Sequence, residues 1–297
     1  MKILITGGTG FIGVPVLNNF IENIEGVEIL NLTKSRPNSY SKQVEYYNCD
    51  LSNPQTYQAK VEAFDPEVVI HLAWEGIPDF SLEMCMKNIH SSISLIEIVT
   101  KVKSCKKIIT TGSCFEYNNK IGICNEDDIV IPKDYFTFAK KTILSFLELE
   151  CNKNNIAYGW ARLFYVYGPN QRSESLIPTL IETLKTNRTP DLRTPKNAND
   201  FIHVNDVAAA IFKMTSNVFQ SGIYNLGSGK STPVIEVSKI VEVALSENDI
   251  YTKDLVQRTI NTEKTIDFFA DIRKSFKEFN WMPKVELEEG IKSVIKK

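Results

Sequence analysis

The turn that decides the fold reads Gly7-Gly8-Thr9-Gly10-Phe11-Ile12-Gly13. It follows the short apolar run Ile3-Leu4-Ile5, which is typical of a buried strand, and it opens a segment with helical spacing that extends to about Glu25. Glycines at this spacing allow a tight turn and a close approach to a pyrophosphate, and a helix start offers N–H groups to its oxygens. The sequence therefore predicts a dinucleotide-binding turn with contacts from Gly7, Gly10, Phe11, Ile12 and Gly13.

Short apolar runs alternate with helical patterns along the rest of the chain. This alternation is typical of a parallel sheet with helices on both faces, and right-handed crossovers make such a sheet doubly wound. We therefore expect an α/β fold with a Rossmann-type doubly wound parallel sheet and a smaller C-terminal substrate lobe. The predicted strands are Val27–Leu32, Val68–Leu72, Lys107–Thr111, Gly159–Val166, Phe201–Val204 and Gly222–Leu226, and the predicted helices are Asn88–Val102, Asp134–Cys151, Leu176–Lys185 and Val207–Thr215.

The order of these elements predicts two structural units. Residues 1–165 form the dinucleotide-binding domain, and residues 199–227 return to it. Residues 166–198 and 228–297, which follow a looser pattern interrupted by prolines, form the substrate-binding lobe.

Composition argues against several functional classes. The 297 residues carry a formal net charge of −2, so the chain lacks the basic balance that is typical of nucleic-acid-binding proteins. No apolar stretch approaches the roughly 18 residues of a membrane span, and the N-terminal apolar run is too short for a signal peptide. The six cysteines form no Cys-x-x-Cys pair and the three histidines are far apart, so no metal site is expected. We expect a cytoplasmic protein without nucleic-acid or membrane partners.

The end of the second strand bears on the choice of dinucleotide. An acidic residue about 20 residues beyond the glycines typically holds the ribose 2′-hydroxyl of NAD. This chain instead reads Thr33-Lys34-Ser35-Arg36. The segment has no carboxylate that would repel a 2′-phosphate, and its two cations could bind one. The sequence therefore favours NADP(H), with NAD(H) as the alternative if Lys34 and Arg36 are only solvated loop charges.

Several later motifs carry a family resemblance. The chain is similar over nearly its whole length to the extended short-chain dehydrogenase/reductases, specifically the NAD-dependent epimerase/dehydratase group. The motifs that carry the resemblance, besides the glycine turn, are Cys49-Asp50-Leu51, His71-Leu72-Ala73, Thr111-Gly112-Ser113-Cys114-Phe115-Glu116-Tyr117, Arg162-Leu163-Phe164-Tyr165-Val166-Tyr167-Gly168-Pro169, Asp200-Phe201-Ile202-His203 and Tyr224-Asn225-Leu226-Gly227. The resemblance implies that Asp50 and Leu51 meet the adenine and that Leu72 and Ala73 lie beside the nicotinamide ribose.

The resemblance also implies a catalytic set and exposes one departure from it. The family uses a Ser or Thr, here Ser113, together with a Tyr and a Lys at positions i and i+4 of one helix. The lysine favours the phenolate and so lowers the tyrosine pKa, and it also binds the cofactor. With Lys140 as the lysine, the tyrosine position holds Phe136, which has no proton to donate, and the neighbouring Tyr135 points elsewhere on the helix.

Three explanations of Phe136 stay open. The chain is a Tyr-to-Phe form of an active enzyme, or another group supplies the proton, or the protein has become a non-catalytic binder of nucleotide sugars or dinucleotides. Ser113, Lys140 and the glycine turn are all present, which favours the first explanation.

The residues after Ser113 bear on the reaction class. Family dehydratases place two acid–base residues directly after the catalytic Thr, but this chain has Cys114-Phe115, and Glu116, if it continues the strand, faces away. This disfavours dehydration. The Lys34 and Arg36 pair, and the similarity of the Ser113 segment to reductases, favour reduction of a nucleotide-linked 4-keto-6-deoxy sugar at C4, with 4-epimerisation as the alternative.

The remaining expectations concern the substrate and the assembly. Ser113 is expected to bind the reacting sugar oxygen, and Tyr165 replaces a family asparagine near the sugar diphosphate. Gln171, Arg172 and Arg258 are candidates for holding the diphosphate, each against the simpler alternative of a solvated surface residue. Family members often pair through two helices, so a homodimer through the helices near 88–102 and 134–151 is expected.

Overall fold

The computed structural model describes residues 1–35, 41–118, 121–216, 218–246 and 266–296. The strands are β1 (Lys2–Thr6), β2 (Glu28–Thr33), β3 (Val44–Asn48), β4 (Val68–His71), β5 (Lys107–Ser113), β6 (Ile121–Cys124), β7 (Ala157–Leu163), β8 (Tyr165–Tyr167), β9 (Ala198–Asn199), β10 (Phe201–His203), β11 (Gly222–Leu226), β12 (Thr232–Pro233) and β13 (Asp267–Ala270). The α-helices are α1 (Gly13–Asn23), α2 (Gln58–Phe64), α3 (Leu82–Val99), α4 (Tyr135–Asn154), α5 (Leu176–Lys185), α6 (Val204–Ser216), α7 (Val234–Ser246), α8 (Arg273–Phe279) and α9 (Leu287–Ile295).

A seven-stranded sheet forms the centre of the molecule, in the order β11-β7-β5-β4-β1-β2-β3. Every pairing in it is parallel. Helices α2, α3 and α4 bury apolar side chains such as Leu95 and Leu147 against one face, and α1 and α6 bury Phe20 and Ile211 against the other. The predicted Rossmann-type doubly wound fold is confirmed, and the carboxyl ends of β1, β2, β4 and β5 meet at one edge of the sheet.

The late elements build a smaller lobe beside this sheet. Helices α5, α7 and α9 share a core that includes Leu180, Val241 and Ile291. Short strands add a two-stranded sheet, β10-β8, and a four-stranded sheet, β12-β9-β13-β6. The Asp200 carboxylate joins segments of this region, because it accepts hydrogen bonds from the backbone N–H groups of Ser228, Gly229 and Ala270.

The division into 1–165 with 199–227, and 166–198 with 228–297, stays a prediction. Strand β11 lies at one edge of the central sheet, and α6 packs on a face of that sheet. Strand β6 lies before residue 165, but it pairs with β13 in the four-stranded sheet, a pairing that the sequence did not indicate. The four short strands of that sheet each span two to four residues, too few for a periodic pattern.

Several element boundaries differ from the prediction for local reasons. The predicted helix at 88–102 begins earlier, at Leu82, because the Ser81 hydroxyl accepts a hydrogen bond from the Met84 N–H as an N-cap. The predicted strand Gly159–Val166 is two strands that separate at Phe164, whose N–H bonds to the Leu226 carbonyl. The predicted start of α4 after Asp134 is confirmed, with the Asp134 carboxylate capping the Thr137 N–H. Among the described segments, no helix combines the length and apolar character needed to cross a bilayer.

Candidate active site

A cleft of about 540 Å³ opens at the carboxyl ends of β1, β2 and β4. Such an edge is where ligands bind in open α/β sheets. The cleft extends from the glycine turn to the β8–α5 connection. The predicted residues that line it are Gly7, Gly10, Phe11, Ile12, Gly13, Thr33, Lys34, Ser35, Leu51, Leu72, Ala73, Gln171 and Arg172.

The glycine turn has the geometry of an anion-binding cradle. Gly7 adopts a φ of 73°, and a Cβ atom on Gly13 would lie 2.1 Å from the Gly7 carbonyl oxygen, so both positions require glycine. The Gly8 N–H is fixed on β2 by the Asn31 side chain at 3.2 Å. Within the described residues, the N–H groups of Phe11 and Ile12 donate no backbone hydrogen bond, which leaves them for a ligand at the start of α1.

The adenine side of the cleft differs from the sequence expectation. Lys34 is not free for a phosphate, because its Nζ lies 2.8 Å from the Asp50 carboxylate and 2.7 Å from that of Glu75. Burial opposes protonation of Lys34, but hydrogen bonds to the two carboxylates raise its pKa. The second predicted cation, Arg36, lies outside the described residues. The sequence could not indicate the pairing, because Glu75 is 41 residues from Lys34.

A buried histidine network supports the strand ends beside the predicted nicotinamide ribose position. His71 lies at the end of β4, with Nδ1 2.6 Å from the Thr6 hydroxyl and Nε2 2.9 Å from the Ser92 hydroxyl. Burial lowers the pKa of His71 to about 3, so the ring is neutral at physiological pH. The Thr6 hydroxyl also accepts the Ala73 N–H at 3.3 Å. The network therefore fixes the segment that contains Leu72 and Ala73.

Ser113 lies at the end of β5, as predicted, but the residues after it do not continue as a strand. Cys114–Tyr117 forms a 3₁₀-helix, in which the Ser113 hydroxyl accepts the Phe115 N–H. The expectation that Glu116 faces away on a strand is therefore wrong. Glu116 is completely buried, accepts the Ser113 N–H at 2.8 Å, and forms a 2.9 Å ion pair with Arg162. A carboxylate held in this way has no path to a substrate and acts instead as an anchor for Ser113.

Phe136 and Lys140 share one face of α4, and Lys140 lies deep in the site. The Lys140 ammonium donates to the Thr111 carbonyl oxygen at 2.9 Å and lies 5.7 Å from the centre of the Phe136 ring. Burial lowers the pKa of Lys140 to about 8. Tyr135 is 52% exposed whereas Phe136 is 7% exposed, so Tyr135 points away from the site as its position on the helix predicts.

Trp74 is a site residue that sequence reasoning missed. Its ring centre lies 3.9 Å from the Lys140 ammonium and 5.1 Å from the Phe136 ring centre. Its indole N–H is buried and has no partner among the described residues. The available signal was its position directly after the Leu72-Ala73 motif. The cation over an indole face is stabilised by the ring, which partly offsets the burial of the Lys140 charge.

The residues from 3 to 227 match the NAD dependent epimerase/dehydratase family. The chain belongs to this family.

Relatives in the family carry different activities. The chain is 28% identical to a putative UDP-glucose 4-epimerase of Methanocaldococcus jannaschii, over 99% of this chain and 97% of that protein. It is 25% identical to the dTDP-4-dehydro-6-deoxyglucose reductase of Escherichia coli, over 99% of this chain and 96% of that protein. The structure of UDP-glucose 4-epimerase with UDP-glucose from Thermotoga maritima superposes with a TM-score of 0.87 at 24% identity, covering 100% of this chain and 98% of that one. These similarities establish family and fold, and they leave the reaction open.

In this member of the epimerase/dehydratase family, an aromatic wall follows the predicted catalytic positions. The Phe136 ring centre lies 4.7 Å from that of Phe80 and 6.1 Å from that of Phe115. The Phe115 ring centre in turn lies 5.9 Å from that of Tyr165. Burial raises the pKa of Tyr165 well above its usual range. Ser113 is therefore followed by an apolar surface that ends at the residue predicted to contact the sugar.

The predicted diphosphate ligands are only partly placed. Gln171 and Arg172 both line the cleft. The Gln171 amide nitrogen donates to the Val166 carbonyl, and its buried side-chain oxygen has no partner within the described chain. Arg172 contacts the Ser175 hydroxyl at 3.3 Å through Nε. Arg258 lies outside the described residues. No group of three or more metal-ligating side chains occurs in the part of the chain that the structure describes.

Proposed function

We propose that this chain has the site of a nicotinamide-dependent nucleotide-sugar oxidoreductase that reduces a 4-keto-6-deoxy sugar at C4, with Phe136 at the proton-donor position. The observation that supports it most is the position of Trp74, which lines the cleft that begins at the glycine turn and contacts both Lys140 and Phe136. The residues proposed for the cofactor are those of the glycine turn, the ends of β2 and β3, Leu72, Ala73 and Lys140.

The residues present fit a dinucleotide. The unpartnered N–H groups of Phe11 and Ile12 suit phosphate oxygens, and the absence of a side chain at Gly13 keeps the cradle open. When bound, the cofactor supplies or accepts the hydride. The Ser113 hydroxyl would donate a hydrogen bond to the sugar carbonyl oxygen, and the buried Lys140 would keep positive charge next to the position where a tyrosine would release its proton.

The aromatic wall supports a 6-deoxy sugar. Phe80, Phe115 and Phe136 form a cluster of rings that begins two residues after Ser113. A methyl group loses nothing on burial against such a surface, whereas a hydroxyl or carboxylate would lose its hydrogen bonds to water. The relative from Escherichia coli named a 4-keto sugar reductase adds to this case. Cys114 and Phe115 cannot act as acid or base and Glu116 is held by Arg162, which argues against dehydration. The alternatives are a 4-epimerase and a non-catalytic binder.

The proposed cofactor is a nicotinamide dinucleotide, either NAD(H) or NADP(H). The sequence favoured NADP(H) through Lys34, Ser35 and Arg36. Lys34 is engaged by two carboxylates, and Arg36 lies outside the described residues, so that preference has lost its main support.

The test compares the unmodified chain with Phe136→Tyr and with Phe138→Tyr. Phe138→Tyr is a matched control, because it makes the same substitution on the same helix at a side chain that is 48% exposed. With a nucleotide-linked 4-keto-6-deoxy sugar and NADPH or NADH, Phe136→Tyr should consume cofactor about 10²- to 10⁴-fold faster, as expected for a restored general acid, and Phe138→Tyr should not.

The result sorts the alternatives. Interconversion of sugars at C4 without net cofactor oxidation would indicate an epimerase instead. An unchanged rate in Phe136→Tyr, with cofactor and sugar both bound, would refute the assignment of residue 136 as the missing acid and favour a binder.

We also propose that the protein is a homodimer. Helices α3 and α4 pack on each other against the sheet, and Met86 and Leu149 remain exposed on them. Sedimentation equilibrium tests this proposal, and a monomeric mass at micromolar concentration would contradict it.

A further inference from the structure

The mouth of the cleft carries a charge network made of residues from four chain segments. Lys34 follows β2, Asp50 follows β3, Glu75 follows β4 and Lys87 lies on α3. Lys34 joins the carboxylates of Asp50 and Glu75 at 2.8 and 2.7 Å, and Lys87 lies 2.8 Å from the second oxygen of Glu75. The network therefore contains two positive and two negative groups, and Glu75 connects its two lysines.

Glu75 is held in place by a buried amide. The Asn88 side-chain oxygen accepts the Glu75 N–H at 2.8 Å, and the Asn88 nitrogen donates to the Glu75 carbonyl at 3.0 Å. The same nitrogen also donates to the Met84 carbonyl in the first turn of α3. Because Asn88 is buried and fully bonded, the position of the Glu75 backbone does not depend on its own side chain. Its half-exposed carboxylate is held by Lys34 and Lys87 at the cleft wall, which Glu75 lines together with Thr33 and Lys34.

The place of this carboxylate bears on cofactor selection. In strand–helix–strand dinucleotide sites, a carboxylate at the end of the second strand accepts the adenine-ribose 2′-hydroxyl of NAD, and an arginine nearby accommodates the 2′-phosphate of NADP. Strand β2 ends at Thr33 without a carboxylate. Lys34 is the first residue after β2, and its ammonium nevertheless pairs with the carboxylates of Asp50 and Glu75.

We propose that Glu75, from the loop after β4, supplies the carboxylate that the end of β2 lacks, and that it makes the site select NAD(H) over NADP(H). This inference rests on the proposed function, because it assumes that the cleft takes a nicotinamide dinucleotide. It replaces the preference that the sequence indicated.

Electrostatics supports the direction of the selection. Hydrogen bonds from Lys34 and Lys87 lower the pKa of Glu75, and a hydrogen bond from Lys34 lowers that of Asp50, so both are ionised at neutral pH. A 2′-phosphate brings a further charge of about −1.5 to −2 to these two carboxylates. Two of the three N–H donors of Lys34 already serve these carboxylates, so at most one remains for a phosphate, and the charge of Lys34 is already balanced. A ribose hydroxyl, in contrast, can donate to a carboxylate without disturbing either lysine.

The test measures the dissociation constants of NADH and NADPH by titration calorimetry for three proteins. They are the unmodified chain, Glu75→Gln and the control Glu45→Gln. Glu45 forms a comparable 2.6 Å pair with Lys60, but neither residue lines the cleft. We expect the unmodified chain to bind NADH at least about tenfold more tightly than NADPH. Glu75→Gln should reduce this ratio about fivefold or more, mainly through tighter NADPH binding, because it removes a negative charge and leaves Lys34 paired with Asp50 alone. Glu45→Gln should leave the ratio unchanged.

Each other outcome has a defined meaning. Tighter binding of NADPH by the unmodified chain, or an unchanged ratio in Glu75→Gln, would overturn the selection by Glu75 and leave the proposed function intact. Binding of neither coenzyme to the unmodified chain would contradict the proposed function and, with it, this inference. A melting temperature of Glu75→Gln close to that of the unmodified chain would show that the change in ratio does not come from loss of structure.

Discussion

The two ends of the cleft are built in opposite ways. At the glycine turn, the cleft surface is backbone: among the residues that the structure describes, the Phe11 and Ile12 N–H groups donate no backbone hydrogen bond, and Gly13 has no side chain. At the predicted catalytic positions, the surface is aromatic, and the buried Lys140 ammonium lies 3.9 Å from the Trp74 ring centre and 5.7 Å from that of Phe136. Under the proposed function, the first end offers the open turn and N–H groups that suit a dinucleotide, and the second has Ser113 and Lys140 but a phenylalanine where the family places its acid. The difference indicates that cofactor binding and proton transfer depend on separate parts of the chain and can be changed separately.

The largest effect is expected at the anchor of Ser113. Glu116→Gln leaves Arg162 buried without an opposite charge, and breaking a buried pair in this way typically costs about 3–5 kcal/mol. Urea unfolding should show a loss of this size, while the folded protein keeps its cofactor affinity, because Glu116 does not line the cleft. The control Glu286→Gln breaks an exposed pair with Lys230 and should change stability by less than about 1 kcal/mol. A loss as small as the control's would show that the pair is not the anchor.

The next effect concerns the other end of the cleft alone. In Gly13→Ala, the added Cβ would lie 2.1 Å from the Gly7 carbonyl oxygen, so the turn must open and the affinity for the cofactor should fall about 100-fold or more, about 2.7 kcal/mol. The control Gly26→Ala places a side chain at a φ of 66° with no atom within 4 Å, so it should cost about 1–2 kcal/mol of stability and leave affinity unchanged. Equal affinities in the two variants would remove the glycine turn from the proposed site.

A smaller effect tests whether the Lys140 ammonium is shielded from water, as the surrounding aromatic side chains imply. Burial lowers the pKa of Lys140 from 10.5 to about 8. Between these values the unfolded chain holds the proton that the folded chain has released, so this group makes stability rise with pH. Relative to Lys140→Met, the unmodified chain should gain about 2 kcal/mol between pH 8 and 9.5. A difference between the unmodified chain and Lys140→Met that does not change with pH would mean that water reaches the ammonium.

Local sequence was sufficient for the parts of the site that depend on one segment. The glycine turn, the Asp134 cap, and the positions of Tyr135 and Phe136 on α4 follow from spacing, helix geometry and hydrogen-bonding capacity within a few residues. The place of Ser113 at the end of β5 came from the family motif and is confirmed.

The features that sequence reasoning missed depend on segments that meet only in the folded chain. The partners of Lys34 come from two other strand ends, and the short turn after Ser113 forms because Arg162 and Trp160, on β7, offer hydrogen bonds to Glu116. The cover of Lys140 by Trp74 likewise joins the β4–α3 connection to α4. No periodic pattern carries such contacts, because each partner is an ordinary residue in its own segment.

Calorimetric titration of the unmodified chain with NAD⁺, NADH, NADP⁺ and NADPH tests the central claim most directly. The account predicts saturable binding of at least one of the four, with one site per chain, and loss of that binding in Gly13→Ala but not in Gly26→Ala. Absence of measurable binding for all four, in a protein shown to be folded, would contradict it.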